Sequence, residues 1–178
     1  MSCASLRDLY RRPGFMIRRA HQIAVSVFLE ETAELGVTST QYGILHVLEQ
    51  RPSIDQITLA RLLGLDRSTT GMVLKTLEAG GLVCRVVLPS DKRRRRLELT
   101  AAGRELLGKL AVPAGRAVER LLSPLDGEER QTFILLLEKL TGAFNATSRV
   151  PLLADPPAFG ANEVPLAPET GPAGKTRD

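Results

Sequence analysis

The sequence predicts a mainly α chain that carries one small β-hairpin. Three observations lead there. Apolar residues recur every three to four positions through most of residues 14–146. Ser, Thr or Asp stands just ahead of several of these segments, where a helix needs a cap. A single Val-rich run, LVCRVVLP, is followed after a polar stretch by RRLELT, with apolar and polar residues alternating at Leu97, Glu98 and Leu99.

The elements follow in order. Residues 14–35 form one predicted helix, with Ala20, Ile23, Ala24, Val27 and Phe28 at helical spacing and Val25 and Leu29 widening the stripe. Pro13 suits its first turn and Gly36 its end. Thr38 to Gln41 match a capping box for a helix running to about Gln50, with Tyr42, Leu45 and Leu48 on its apolar side, and Pro52 breaks it. Ser53 to Gln56 match a second capping box, ahead of a short helix ending at Gly64. Asp66 caps the next helix, which Gly80-Gly81 closes. The hairpin comes after it. Thr100 caps a long helix in which Pro113 and Gly115 predict a kink and Ser123-Pro124 the stop. Asp126 to Glu129 cap a last helix, RQTFILLLEKLTGAFNA. Its FILLL core is apolar nearly all round, which calls for a partner helix. Beyond Val150 the chain holds six of its eleven prolines and little periodicity, and reads as a disordered tail. The resulting division is an N-terminal extension at 1–9, a folded region at 10–150 with a central unit at 38–100, and the tail at 151–178.

Composition narrows the function classes. Of 178 residues 43% are hydrophobic but only 4% aromatic, so the core is aliphatic. Cys3 and Cys84 are far apart, with neither a disulfide framework nor metal-ligand spacing. No apolar run reaches eighteen residues, and the first fifteen lack a signal-peptide core, so a cytoplasmic protein away from membranes is expected. There is no Gly-rich phosphate loop and no nucleophile elbow, so an enzyme is disfavoured.

The net charge is only +4, yet Lys92, Arg93, Arg94, Arg95 and Arg96 stand in one run. Five adjacent cations repel one another unless an anion lies opposite. Two short capped helices joined by a tight glycine-containing turn are a helix-turn-helix, whose second helix enters the major groove. Here that helix starts at Arg67. With Thr70, Val73 and Leu77 turned to the core, Ser68, Gly71, Met72 and Lys75 face outward. Ser68 and Thr69 sit near the positive helix end, suited to phosphate or base contact, and Lys75 suits phosphate. The hairpin is then a wing with a cationic loop at its tip, able to meet phosphates and enter a minor groove. Asp91 can brace Arg93 through a carboxylate–guanidinium pair. The anion implied by the run is DNA.

With those residues in place, LARLLGLDRSTTGMVLKTLEAGGLVCRVVLPSDKRRRRLELTAAG resembles the winged helix-turn-helix core of the MarR family of bacterial transcription regulators. The matching features are L-x-x-L-x-GGLV entering the wing, D-x-R at its tip and L-x-L-T-x-x-G leaving it. The likeness extends more loosely over residues 10–147. It implies a homodimer built from the N- and C-terminal helices. It implies a double-stranded, pseudo-palindromic operator, usually with repression. It also implies release by a small ligand, often an aromatic carboxylate such as a hydroxybenzoate or hydroxynicotinate, with no resident cofactor. On that resemblance Asp91 and Arg93 match the wing pair, and Ser68, Thr69, Met72 and Lys75 fall on the recognition helix. Arg94 replaces a commonly small residue, and Met72 a commonly polar or basic one, which favours contact with a thymine methyl.

RPGFMIRRAHQ resembles a subgroup that regulates aromatic-acid catabolism. Arg18 and His21 share a helix face, and an arginine fork beside an imidazole can hold a carboxylate. His46 can join them, and Tyr42 can stack on a ring. The competing readings are surface salt bridges for Arg18 and Arg19 and ordinary packing for His46 and Tyr42. Cys84 is expected to be an inert buried thiol. Cys3 leaves open a redox-sensing repressor. A helical protein–protein adaptor with a basic loop is the alternative from another class.

Overall fold

The computed structural model describes residues 5–88 and 91–153; the side chains of Leu88 and of residues 91–94 also lie outside the described part. The helices are α1 (Leu6–Tyr10), α2 (Pro13–Glu31), α3 (Ser39–Gln50), α4 (Gln56–Leu63), α5 (Arg67–Ala79), α6 (Ala101–Leu122) and α7 (Gly127–Ala143). Strands β1 (Val83–Leu88) and β2 (Asp91–Leu99) lie between α5 and α6.

Most boundaries follow from local capping. Thr38 and Gln41 form a reciprocal box at the start of α3, and Asp126 and Glu129 do so for α7. Asp66 caps α5 and Thr100 caps α6. Gly64, at φ 63°, closes α4 in the left-handed region that disfavours residues with a Cβ. Pro113 lies inside the continuous α6.

Three expectations need correction. The helix predicted over residues 14–35 ends at Glu31, and a 3₁₀ turn, Ala33–Leu35, carries the chain to Gly36. Thr32 accounts for the break: its hydroxyl donates to the carbonyls of Phe28 and Val37, tying the helix end to the next segment. The second capping box does not form. Asp55, not Ser53, caps α4, accepting from the N–H groups of Ile57 and Thr58 at 3.0 Å each. Ser53 sits at φ 58° and donates its hydroxyl to Glu98 of β2 instead. The cationic run is not a loop: residues 91–96 belong to β2.

The core is aliphatic. Ile44, Leu45 and Leu48 of α3 pack with Leu59 of α4, Leu74 and Leu77 of α5, Val83, Leu97 and Leu99 of the hairpin, and Leu110 of α6. One cluster thus joins the helix pair and the hairpin into a single body. α2 and α7 contribute no fully buried residue, and Phe133 to Leu137 are all substantially exposed.

Candidate nucleic-acid interface

α5 is held by its inner face. Thr70, Leu74 and Leu77 are buried and Val73 half-buried, so the three-four spacing places Arg67, Ser68, Met72 and Lys75 outside. All four are exposed. Thr69 is half-buried and engaged: its N–H and hydroxyl donate to the Asp66 carboxylate at 2.9 and 2.6 Å. Those bonds, the hydroxyl's foremost, hold the Asp66 carboxyl below its ordinary pKa. Gly71 is half-buried, and a Cβ there would lie 3.3 Å from Gln56 Nε2.

The hairpin is antiparallel, with Val83 opposite Leu99 and Val87 opposite Arg95. The register then shifts, so that Leu88 pairs with Asp91 and residues 92–94 form an irregularity in β2. The expected Asp91–Arg93 pair and the contacts of Lys92 and Arg94 concern side chains outside the described residues. Arg95 is exposed. Arg96, last of the run, is half-buried and pairs with Asp55 at 3.4 Å.

That pair is one of several ties at the base of the hairpin which the sequence reading missed. Leu97 N–H donates to Ile54 O at 2.8 Å and Ser53 N–H to Leu97 O at 3.2 Å, bridging the segment before α4 to β2. Arg85 of β1 reaches Glu78 of α5 at 2.5 Å and Gln56 of α4 at 3.3 Å. The hairpin is therefore fixed to both helices by charged or hydrogen-bonded pairs. The sequence reading put the cap of α4 at Ser53 and so passed over Asp55; the pairings across the fold had no local signal. Cys84, expected to be buried, is half-buried and free. Cys3 lies outside the described residues.

The proposed ligand residues fall into two groups. On α2, Arg18 donates to Gln22 at 3.2 Å and lies over the Phe15 ring at 5.0 Å, and His21 is exposed. On α3, Tyr42 stacks on His46 at 5.9 Å and packs against Phe28 of α2 at 5.5 Å. No described contact joins Arg18 or His21 to Tyr42 or His46. A concavity among the described residues lies elsewhere, lined by Glu30, Glu31, Glu34, Lys109, Pro113 and Arg116. Beside it Arg116 and Arg120 hold the Glu31 carboxyl below its usual range. Among the described residues there is no group of side chains arranged for a metal ion, and no helix is long and apolar enough to cross a membrane.

Comparison with known proteins agrees with this architecture. A profile described as the MarR family matches residues 35–94, which run from the turn before α3 into the cationic strand. The transcriptional regulator HosA of Escherichia coli O111:H- is 36% identical over 108 residues, covering 60% of this chain and 79% of its own. The PcaV transcriptional regulator of Streptomyces coelicolor, solved with its natural ligand, superposes with a TM-score of 0.71 at 33% identity, covering 80% of this chain and 99% of that one. The transcriptional repressor CouR, solved on a 23-mer DNA duplex, does so with a TM-score of 0.71 at 29% identity, covering 79% and 99%. The chain belongs to the MarR family of transcriptional regulators, which are not enzymes.

Proposed function

We propose that this chain is a homodimeric repressor that binds a pseudo-palindromic DNA operator and leaves it when a small aromatic carboxylate binds. The observation that carries the DNA part is the outward face of α5 beside a cationic hairpin, which Arg85–Glu78 ties to α5 and Arg96–Asp55 ties to the start of α4. A helix presented to a major groove needs such fixed neighbours, because base reading depends on register along the duplex. Binding of a 23-mer duplex by CouR, of the same fold, supports it. The dimer reading rests on α2 and α7, which keep large apolar residues exposed: Met16 and Ile17 on α2 are 56% and 50% exposed, and Leu135 and Leu136 on α7 are each 61% exposed. Patches of that kind mark interfaces.

The ligand reading is supported by the complex of PcaV with its natural ligand. Arg18 and His21 supply groups for a carboxylate, and Tyr42 and His46 a stacking surface. The ligand acts by binding the DNA-incompetent dimer better than the competent one. The test is the fluorescence anisotropy of a labelled duplex taken from upstream of this protein's own gene, titrated across salt and a panel of benzene and pyridine carboxylates. Affinity should fall by about 10³- to 10⁵-fold between roughly 50 and 200 mM salt if about 6–10 phosphates are neutralised. Release by one acid supports the whole reading. Binding that no acid relieves removes the ligand arm and turns attention to oxidation at Cys3. No sequence-selective binding at any salt would favour the adaptor.

A further inference from the structure

The outward stripe of α5 consists of Ser68, Met72 and Lys75, spaced by four and three along the helix, and Met72 is its middle member at 66% exposure. Single exposed apolar side chains are ordinary on protein surfaces. What distinguishes Met72 is the chemistry around it. Gly71, its neighbour, has no side chain and turns toward Gln56. The Thr69 hydroxyl spends its proton on Asp66, and the Thr76 hydroxyl donates to the Met72 carbonyl at 3.3 Å. The polar side chains flanking the middle of the stripe are thus turned back onto the chain. Hydrogen-bonding groups remain at its ends, in Ser68 and Lys75, and an unbranched thioether occupies the centre.

An apolar group in the major groove has one apolar target among the four unmodified bases, the 5-methyl of thymine. The other base edges present only donors and acceptors there, which a thioether would desolvate without replacing. We infer that Met72 is a specificity-determining residue of this protein, reading one thymine in each operator half-site through its methyl group. The inference rests on the proposal that α5 enters the major groove. Met72 is flexible enough to follow the methyl without moving the helix, and its exposure means that truncation leaves the core intact.

The test separates this contact from DNA binding in general. An operator is selected from a random duplex library with the full chain, and each dT in it is replaced in turn by deoxyuridine, which removes only the methyl. At one dT per half-site the replacement should weaken wild-type binding by about fourfold, the effect of burying one methyl-sized group. In Met72→Ala the same replacement should have no effect. A loss that persists in Met72→Ala, or no dT at which the two proteins differ, overturns the assignment and leaves the operator-binding reading intact. If no duplex is enriched at all, the DNA reading fails and the assignment with it. Urea unfolding midpoints for the two proteins should coincide; a large drop in Met72→Ala would show that the side chain serves the fold, and would overturn the assignment.

Discussion

Removing the Asp55 carboxylate should destabilise the chain by roughly 1.5–2 kcal/mol, and the figure can be built from its contacts. The carboxylate accepts from two backbone N–H groups of α4 at 3.0 Å and from the Thr58 hydroxyl at 2.9 Å. Losing an N-cap costs about 1 kcal/mol, and two capped donors put this site in the upper part of the range. The Arg96 pair adds roughly 0.5 kcal/mol, since the Asp55 side chain is 43% exposed and solvent screens it. Asp55→Ala loses both contributions. Asp55→Asn keeps an oxygen that can cap and loses only the charge, so it should cost about 0.5 kcal/mol. Urea unfolding at fixed protein concentration measures the difference, and the Ala variant should shift the midpoint by about 1 M.

The pH dependence of that difference is a second reading of the same contacts. Thr58 N–H, foremost, then its hydroxyl, Ile57 N–H and Arg96 lower the Asp55 pKa from its ordinary 3.8. A depressed carboxylate stabilises the fold fully above its unfolded pKa and ceases to do so as pH falls through the folded one. The gap between wild type and Asp55→Asn should therefore be constant from about pH 7 to 5 and close below about pH 4. An Ala variant as stable as wild type at pH 7, or a gap that stays open through pH 2, would refute the account of how α4 is anchored.

Arg95→Ala should lower the slope of log affinity against log salt by about 1 per subunit bound, because the side chain is exposed. Arg96→Ala should leave the slope unchanged and lower the unfolding midpoint, since Arg96 is engaged with Asp55. Gly103→Ala should destabilise by about 3 kcal/mol in urea unfolding, because a Cβ there collides with the Leu82 carbonyl oxygen and comes within 3.1 Å of Leu99 Cδ2. Leu136→Glu on the exposed face of α7 should shift the sedimentation coefficient from dimer to monomer, while the helical circular dichroism persists; an unchanged coefficient would remove that face from the interface.

Helix starts were legible in the sequence where the cap and its partner lie three residues apart. Thr38 with Gln41 and Asp126 with Glu129 formed as read, because such contacts need only one turn of chain to close. The outward stripe of α5 was legible for a similar reason: helical geometry alone spaces Ser68, Met72 and Lys75 along one side once Thr70 and Leu77 are buried. The same local rule misplaced the cap of α4. Ser53 has the right residue three positions on, but its hydroxyl goes to Glu98, 45 residues away, and its backbone turns to φ 58°.

What only the tertiary structure decided is the set of ties between segments distant in sequence. Arg96 meets Asp55 across 41 residues, Arg85 meets Gln56 across 29, and Arg120 meets Glu30 across 90. The first two pairings exist because the aliphatic cluster brings α3, α4, α5 and the hairpin into one body, and the third because α2 packs along α6; charged chains at these edges then find whichever partner is in reach. In the sequence, one arginine of the run looks like the next. In the fold, Arg95 is open to solvent while Arg96 anchors the hairpin. The sequence determined the helices, their caps and the density of positive charge, because those depend on neighbours within a turn. The folded chain decided which of those charges remain available to a partner, because burial and pairing depend on the whole of it.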